Sequence, residues 1–511
     1  MSSLQRFLSA SAAAWVRIFL AGLSQALLVP VFLTHWSVEQ YGCWLIIQSI
    51  TSVASILSMS YQNFIGFELL KIGDRQPQTA RLVFYSALPL VVLISLLELF
   101  VLGCLIYFGF IGDVFDATHT LNPQLLGEAL WSLVIYSLSW LISSSIAGLT
   151  WRALVPYGYY PRMAWWNASI ALVTALASGL AVSCGAGLLW TVVWIAVAVL
   201  AASIPFYIDM WRKLHHHDLF PIAPDWKLSL RHVRLSLAIA ATAALDISRQ
   251  QGVRIFLGAL VGIEEMTTFA TIRMISNVSQ QGVRTITNPV MPEIMKFLGN
   301  RDSERTNATM GLVWLLAVVL LAPVLVVLQW IVPVVFQAWT RGKIEFNPQV
   351  FGLFSILMLL FSVARPAATI LQGNNLLKDQ LLISIAMFAA AVTGILLLTP
   401  LFGIAGTAAA MLLAELLGAT LIMWCASRWL TKNGIGFPLR LFAITLASII
   451  LASSAISLMV WVPRYAPAAA LVSIIASGFL CIALVRQLPP ATLGRLRGAL
   501  QRILPRAHTV G

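Results

Sequence analysis

Charge is scarce in this chain. Only 10% of its 511 residues are Asp, Glu, Lys or Arg, while 59% are hydrophobic and the mean hydropathy is +0.88. A soluble protein of this length could not cover its surface with so few charges, which excludes that class. Acids are the scarcer sign, 19 against 32 Lys and Arg. Cysteine is sparse too: Cys43, Cys104, Cys184, Cys425 and Cys481 are scattered over apolar segments without metal-ligand spacing, so neither a disulfide framework nor a zinc site follows. The sequence also has no G-x-x-x-x-G-K-[ST] phosphate loop, zinc motif or nucleophile elbow, and ATP hydrolysis and hydrolytic catalysis therefore have no support.

What the chain has in abundance is apolar runs of spanning length. A membrane helix needs about 20 mostly apolar residues. Fourteen such runs can be read, at 10–33, 43–69, 82–110, 128–152, 164–184, 187–210, 235–260, 266–290, 309–335, 350–373, 380–400, 404–427, 438–461 and 466–486. The fold class is thus all-α integral membrane. Basic residues stay on the cytoplasmic side of a membrane. On this assignment the odd-numbered loops carry only Arg341, Lys343 and Arg464, while Lys71, Arg152, Arg162, Arg212, Lys213, Arg301, Arg428 and the rest fall on the other side with both tails. Both termini are expected to be cytoplasmic. The net charge of +13 then reflects topology, and nucleic-acid binding is not needed to explain it. Arg6 ahead of SASAAA has the outline of a signal peptide, but the apolar run continues past Arg17 to Leu33 and serves as the first span.

The chain is organised around the stretch Asp246 to Lys296. At 100° per residue, Arg273, Asn277, Gln280, Gln281, Arg284 and Asn288 fall within an arc of about 100° on an otherwise apolar helix. An arginine at the bilayer centre costs about 2.5–3.5 kcal/mol, so such a stripe must face protein or water. The preceding span supplies Asp246, Arg249 and Arg254. The tenth carries Ser362, Arg365, Thr369 and Gln372 on one face, with Pro366 as a kink. Arg17, Arg249, Arg254, Arg273, Arg284 and Arg365 meet only Glu98, Asp246 and Glu415 at comparable depth. The excess cations call for hydration or an anionic ligand. Glu98, Asp246 and Glu415 are read either as structural partners or as acids for proton or cation coupling.

An internal repeat accompanies the stripe. Shifting the chain by 225 positions aligns Glu39 with Glu264, Asn63 with Asn288, Glu68 with Glu293 and Lys71 with Lys296, and sets Gln48, Ser52, Ser55 and Met59 against Arg273, Asn277, Gln280 and Arg284. Halves repeated after six helices are parallel. The expected organisation is a six-helix half at 1–215, a cytoplasmic linker at 216–231, a second half at 232–430, two extra spans at 431–488 and an amphipathic tail at 489–511 lying on the anionic inner leaflet. His215, His216 and His217 next to the linker are explained by a solvated basic loop, and no metal is assigned to them.

The stretch VGIEEMTTFATIRMISNVSQQGVRTITNPVMPEIMKF resembles the seventh-to-eighth helix region of bacterial polysaccharide flippases, and LTHWSVEQYGCWLIIQSITSVASIL resembles the equivalent element of the first half. Those flippases, of the O-antigen and exopolysaccharide type, belong to the multidrug, oligosaccharidyl-lipid and polysaccharide exporter superfamily. The resemblance covers roughly residues 10–430 in organisation. It implies a non-enzymatic transporter in the bacterial inner membrane that flips a polyprenyl-pyrophosphate-linked oligosaccharide to the outer leaflet for surface polysaccharide synthesis. Its implied partners are that lipid-linked substrate, membrane lipids and the polymerase and glycosyltransferases of the same synthesis; no cofactor or metal is expected. The substrate-binding set is Arg249, Arg254, Arg273, Arg284, Arg17, Arg365, Asn277, Gln281 and Asn288. The alternatives are a peptidoglycan-precursor flippase, a cation-coupled multidrug exporter of the same superfamily, or a membrane polysaccharide polymerase or ligase. Short outer loops weigh against the last.

Overall fold

A computed structural model describes residues 16, 24, 27–73, 76–116, 121–287, 294, 297–298, 301–374 and 376–488. Helices dominate these residues, with no strand among them. The N-terminal span, including Arg17, lies largely outside the described residues, as do Asn288 and the tail beyond 488.

The starts of the helices are written into the sequence. Helix α1 (Val38–Ala54) opens on a capping box, with Ser37 Oγ accepting from the Gln40 amide and Gln40 Oε1 accepting from the Ser37 amide. Proline fills the first turn of α3 (Pro77–Tyr107), α5 (Pro123–Leu154) and α6 (Tyr160–Ser183), where its missing N–H costs nothing; the short α4 (Phe110–Phe115) joins α3 to α5. Helix α2 (Ile56–Ile72) continues α1 after a bend of 48°. The hydroxyls of Ser49, Ser52, Ser55 and Ser58 each donate to a carbonyl three or four residues back, which loosens the helical ladder at the break.

Helix α7 (Leu188–His216) leads into the linker, which is not a loose tether. Arg81 Nε donates to the Phe220 carbonyl at 3.0 Å, Tyr85 Oη to the Leu219 carbonyl at 2.9 Å, and the Asp225 amide to Ser86 Oγ at 2.8 Å. Asp225 then caps α8 (Trp226–Ile247), which packs on α2 and α3. Of the linker-side histidines, His215 stacks on Trp211 and His217 on Tyr157, with centroids 4.9 and 4.5 Å apart. Partial burial, and then the charges of His216 and Lys213, hold the His217 imidazole below its ordinary range. A π-helical turn, Ser248–Gly252, separates α8 from α9 (Val253–Val261), and α10 (Ile263–Thr287) follows. At the start of α10, Gly42 of α1 comes so close to Ile263 and Thr267 that a side chain there would collide with the Thr267 hydroxyl.

The chain divides into two compact units, Met1–Ala270 with Gln337–Glu345, and Thr271–Phe336 with Phe346–Gly511. In the first, buried hydroxyl pairs join helices: Thr51 with Ser137 at 3.1 Å and Ser95 with Ser145 at 2.8 Å. Such bonds are worth about 0.6 kcal/mol each in a bilayer. The second unit contains α11 (Ser303–Trp314), a π turn at Leu315–Val319, α12 (Leu321–Trp339, apart from its last turn), α13 (Pro348–Gly373), α14 (Leu377–Lys432), α15 (Leu439–Trp461) and α16 (Ala466–Arg486). Its core is centred on the fully buried Trp314, whose Nε1 donates to the Val363 carbonyl at 2.9 Å. Helix α14 reverses at Gly403, where φ is +57°, so that Gly394 packs on Ala410 and Thr399 pairs with Thr407 at 2.8 Å.

Among the described residues, nine helices are long and apolar enough to cross a membrane, or up to eleven when the bent pairs Val38–Ile72 and Trp226–Val261 each count as one span. This falls short of the fourteen expected runs for physical reasons. The polar stripe takes α10 below that apolarity, the runs 380–400 and 404–427 are joined through Gly403 into one element, and the first run is mostly undescribed.

Candidate functional site

The arginine-bearing segment of the first unit begins at the π-helical turn. A π turn widens the helix by one residue and re-aims the side chains around it. Arg249 lies within that turn, half-buried, and Asp246 lies one turn before it, exposed. Arg254 follows in the first turn of α9 and is only 8% exposed. It sits beside Tyr41 of α1, its Nε has no hydrogen-bond partner, and no carboxylate pairs with it among the described residues.

Helix α10 places Arg273, Asn277, Gln281 and Arg284 along one continuous helical stretch, as the spacing requires. Arg273 is 6% exposed, and Asn277 and Gln281 are half-buried. The Arg284 side chain is outside the described set. On α13, Arg365 lies over the Phe361 ring at 5.4 Å, one residue before Pro366 in mid-helix. Glu415 on α14 is 8% exposed. Arg249, Arg254, Asp246 and Glu98 belong to the first unit, and Arg273, Asn277, Gln281, Arg284, Arg365 and Glu415 to the second.

Glu98 stands at the break between α1 and α2. Its Oε1 accepts the Ser58 amide at 2.8 Å, one of the N–H groups that the bend leaves without a helical acceptor. Around it Thr51, Ser55, Ser95, Ser137 and Trp140 line a small recess. A carboxylate on the first turn of a helix is favoured by the helix dipole, so the acid that sequence reading left between pairing and coupling has a backbone partner.

One cation that turns into the bundle is not legible from the sequence. Arg152 was counted among the inner-loop charges, yet it reaches back into the bundle. Its Nη1 donates to Gln62 Oε1 at 3.1 Å and to the Gly148 carbonyl at 2.6 Å, and its Nη2 to Asn63 Oδ1 at 2.6 Å. The visible signal was Gly148, four residues before Arg152, which leaves room on the same helix face.

No family model matches the chain, and no curated relative matches it in sequence. Solved structures do. The "Lipid II flippase MurJ, inward closed conformation" superposes with a TM-score of 0.64 at 12% identity, covering 93% of this chain and 97% of that one. An inward-facing multidrug resistance MATE family transporter of the MOP superfamily gives 0.61 at 11% identity, covering 83% and 99%. The eukaryotic MATE transporter AtDTX14 gives 0.55 at 11% identity, covering 86% and 99%. Helix content, spanning elements and these superpositions agree: the chain has the all-helical membrane fold that lipid II flippases share with MATE transporters.

Proposed function

We propose that this chain is a flippase that moves a polyprenyl-pyrophosphate-linked oligosaccharide from the inner to the outer leaflet of the bacterial cytoplasmic membrane, for surface polysaccharide synthesis. The observation that carries the reading is Arg254, a guanidinium 8% exposed on a membrane-embedded helix with no carboxylate pairing with it among the described residues. Burying an uncompensated charge costs several kcal/mol even after relaxation. A diphosphate that docks there offsets that cost, and a guanidinium matches phosphate oxygens two at a time. Arg249 in the adjoining π turn, and the arginines and amides of α10 and α13, supply further donors for headgroup and sugars; Arg17, Arg284 and Asn288 belong to the same proposed set. Transport proceeds by rocking of two repeated halves, at 1–215 and 232–430, without a cofactor, and polymerase and glycosyltransferases act before and after it. Both chain ends lie in the cytoplasm. Glu98, Asp246 and Glu415 remain the acids available to couple a proton or cation.

Likeness to a lipid II flippase over 93% of the chain favours a second reading, in which the cargo is the peptidoglycan precursor. A cationic drug would need an acidic site, and the excess of arginines disfavours it.

The test is Arg254→Gln in cells. At normal protein level it abolishes surface polymer and leaves the lipid-linked sugar on the cytoplasmic face, while Arg254→Lys retains part of the activity. Unchanged polymer in Arg254→Gln removes this assignment. Depletion that lyses cells by stopping wall synthesis moves the cargo to the peptidoglycan precursor.

A further inference from the structure

Near the end of α5, at the level of the middle of α2, the first unit holds a half-buried cation, Arg152, with which no acid pairs among the described residues. Arg152 is the third residue from the end of a 32-residue helix, and its side chain folds back along that helix. Two glycines make the cradle: a side chain at Gly66 would meet Arg152 Cδ at 2.9 Å, and one at Gly148 would collide with the Gln62 amide. Trp151 forms another wall, its ring centroid 4.3 Å from the guanidinium carbon. All its hydrogen-bond partners are neutral oxygens, from Gln62, Asn63 and Gly148.

A guanidinium has five N–H donors. Both Nη1 hydrogens and one on Nη2 are engaged. Among the described residues Nε–H and one Nη2 hydrogen take no protein acceptor, and Nε with Nη2 is the side of a guanidinium that takes two oxygens of a phosphate at once. A further donor lies alongside. Gln62 is 3% exposed, and with its oxygen held by Arg152, its Nε2 has no acceptor. A buried donor without an acceptor is costly, and so is a half-buried cation without a counter-charge. A helix lock would need neither deficit.

We propose that Arg152, with Gln62 and Asn63, forms a second anion site, which takes a phosphate or diphosphate oxyanion. Positive-inside charge places this end of α5 at the cytoplasmic face. There the site receives the diphosphate of the incoming lipid-linked sugar before it passes to Arg254. The loading role rests on the flippase reading; the anion site does not. The same oxyanion chemistry is offered by the headgroups of anionic bilayer lipids.

The experiment uses the full-length protein in phosphatidylcholine nanodiscs, with radiolabelled inorganic pyrophosphate as the probe in equilibrium binding. The Arg254→Gln background isolates the second site. In that background pyrophosphate still binds, and adding Gln62→Glu weakens it at least tenfold, because the new carboxylate sits against Nη1, neutralises Arg152 and replaces the Gln62 Nε2 donor with an oxygen that repels the anion. Arg152→Gln does the same, and since it could unfold the bundle, Gln62→Glu is the decisive variant: it adds an internal ion pair and keeps the shape. Binding in that background which Gln62→Glu leaves unchanged, or no binding there at all, overturns the site. Competition decides the source. Displacement by polyprenyl pyrophosphate supports loading, whereas displacement by phosphatidylglycerol alone overturns the loading role. A normal cellular phenotype for Arg254→Gln would remove the flippase reading and leave this binding result untouched.

Discussion

Asp209 on α7 accepts from Tyr159 Oη at 2.6 Å and Trp166 Nε1 at 3.0 Å, and pairs with Arg162 Nη2 at 2.7 Å. It is 8% exposed and Tyr159 is 4% exposed, so removing the carboxylate leaves at least the Tyr159 hydroxyl buried without this acceptor. Asp209→Ala is expected to lower stability by about 2–3 kcal/mol, read as a drop in the thermal unfolding midpoint of the purified protein, with Asp209→Asn losing less. Little of this was legible from sequence, where Asp209 is an acid at the inner end of a span and Arg162 a loop charge. Arg254 was legible, because a charge inside an apolar run stands out without knowledge of its neighbours. Arg152 was not, because a charge at the end of a run is indistinguishable from a loop charge until its side chain is seen to fold inward.

Element boundaries followed the same logic. The caps at Ser37, Asn122, Asp225 and Asn347 lie where Ser, Asn and Asp precede apolar runs, and each makes the expected bond to the backbone. Breaks inside runs were harder to see. The expected span 43–69 is a bent pair because its serines compete for backbone carbonyls, and that competition depends on rotamers rather than hydropathy. Gly403 is the opposite case: the pattern separates two runs there, yet the chain turns through one left-handed residue without leaving helix on either side. Gly403→Ala should cost about 1–2 kcal/mol, since a Cβ is disfavoured at positive φ. Urea or thermal unfolding of the variant checks this, while Ala at Gly436, whose φ is not positive, should be close to neutral.

For the molecule as a whole, apolar runs and charge asymmetry were enough to reach an all-helical membrane fold, while the grouping of the arginines was not, because helix phase says which residues share a face and nothing about which faces meet. Topology makes its own prediction. Cys184 lies in the short exposed connection between α6 and α7, on the side that carries few basic residues. A membrane-impermeant maleimide added to intact cells should label Cys184, and Cys184→Ser should abolish that signal. Labelling only after the cells are opened would invert the assignment.

Gly42 and Thr267, which crowd each other where α1 meets α10, are 225 positions apart, as are Glu39 and Glu264 in the first turns of the same two helices. On the repeat expected from the 225-position shift, this turn would set each copy of the repeated element against its own counterpart. Duplication of a gene yields two identical residues at every such meeting place, and two identical bulky side chains cannot occupy one gap. One member of such a pair must shrink for the other to keep its bulk, as glycine opposite threonine would do. On that expectation, divergence here would be not drift away from an ancestral symmetry but the condition under which a fused chain could close on itself.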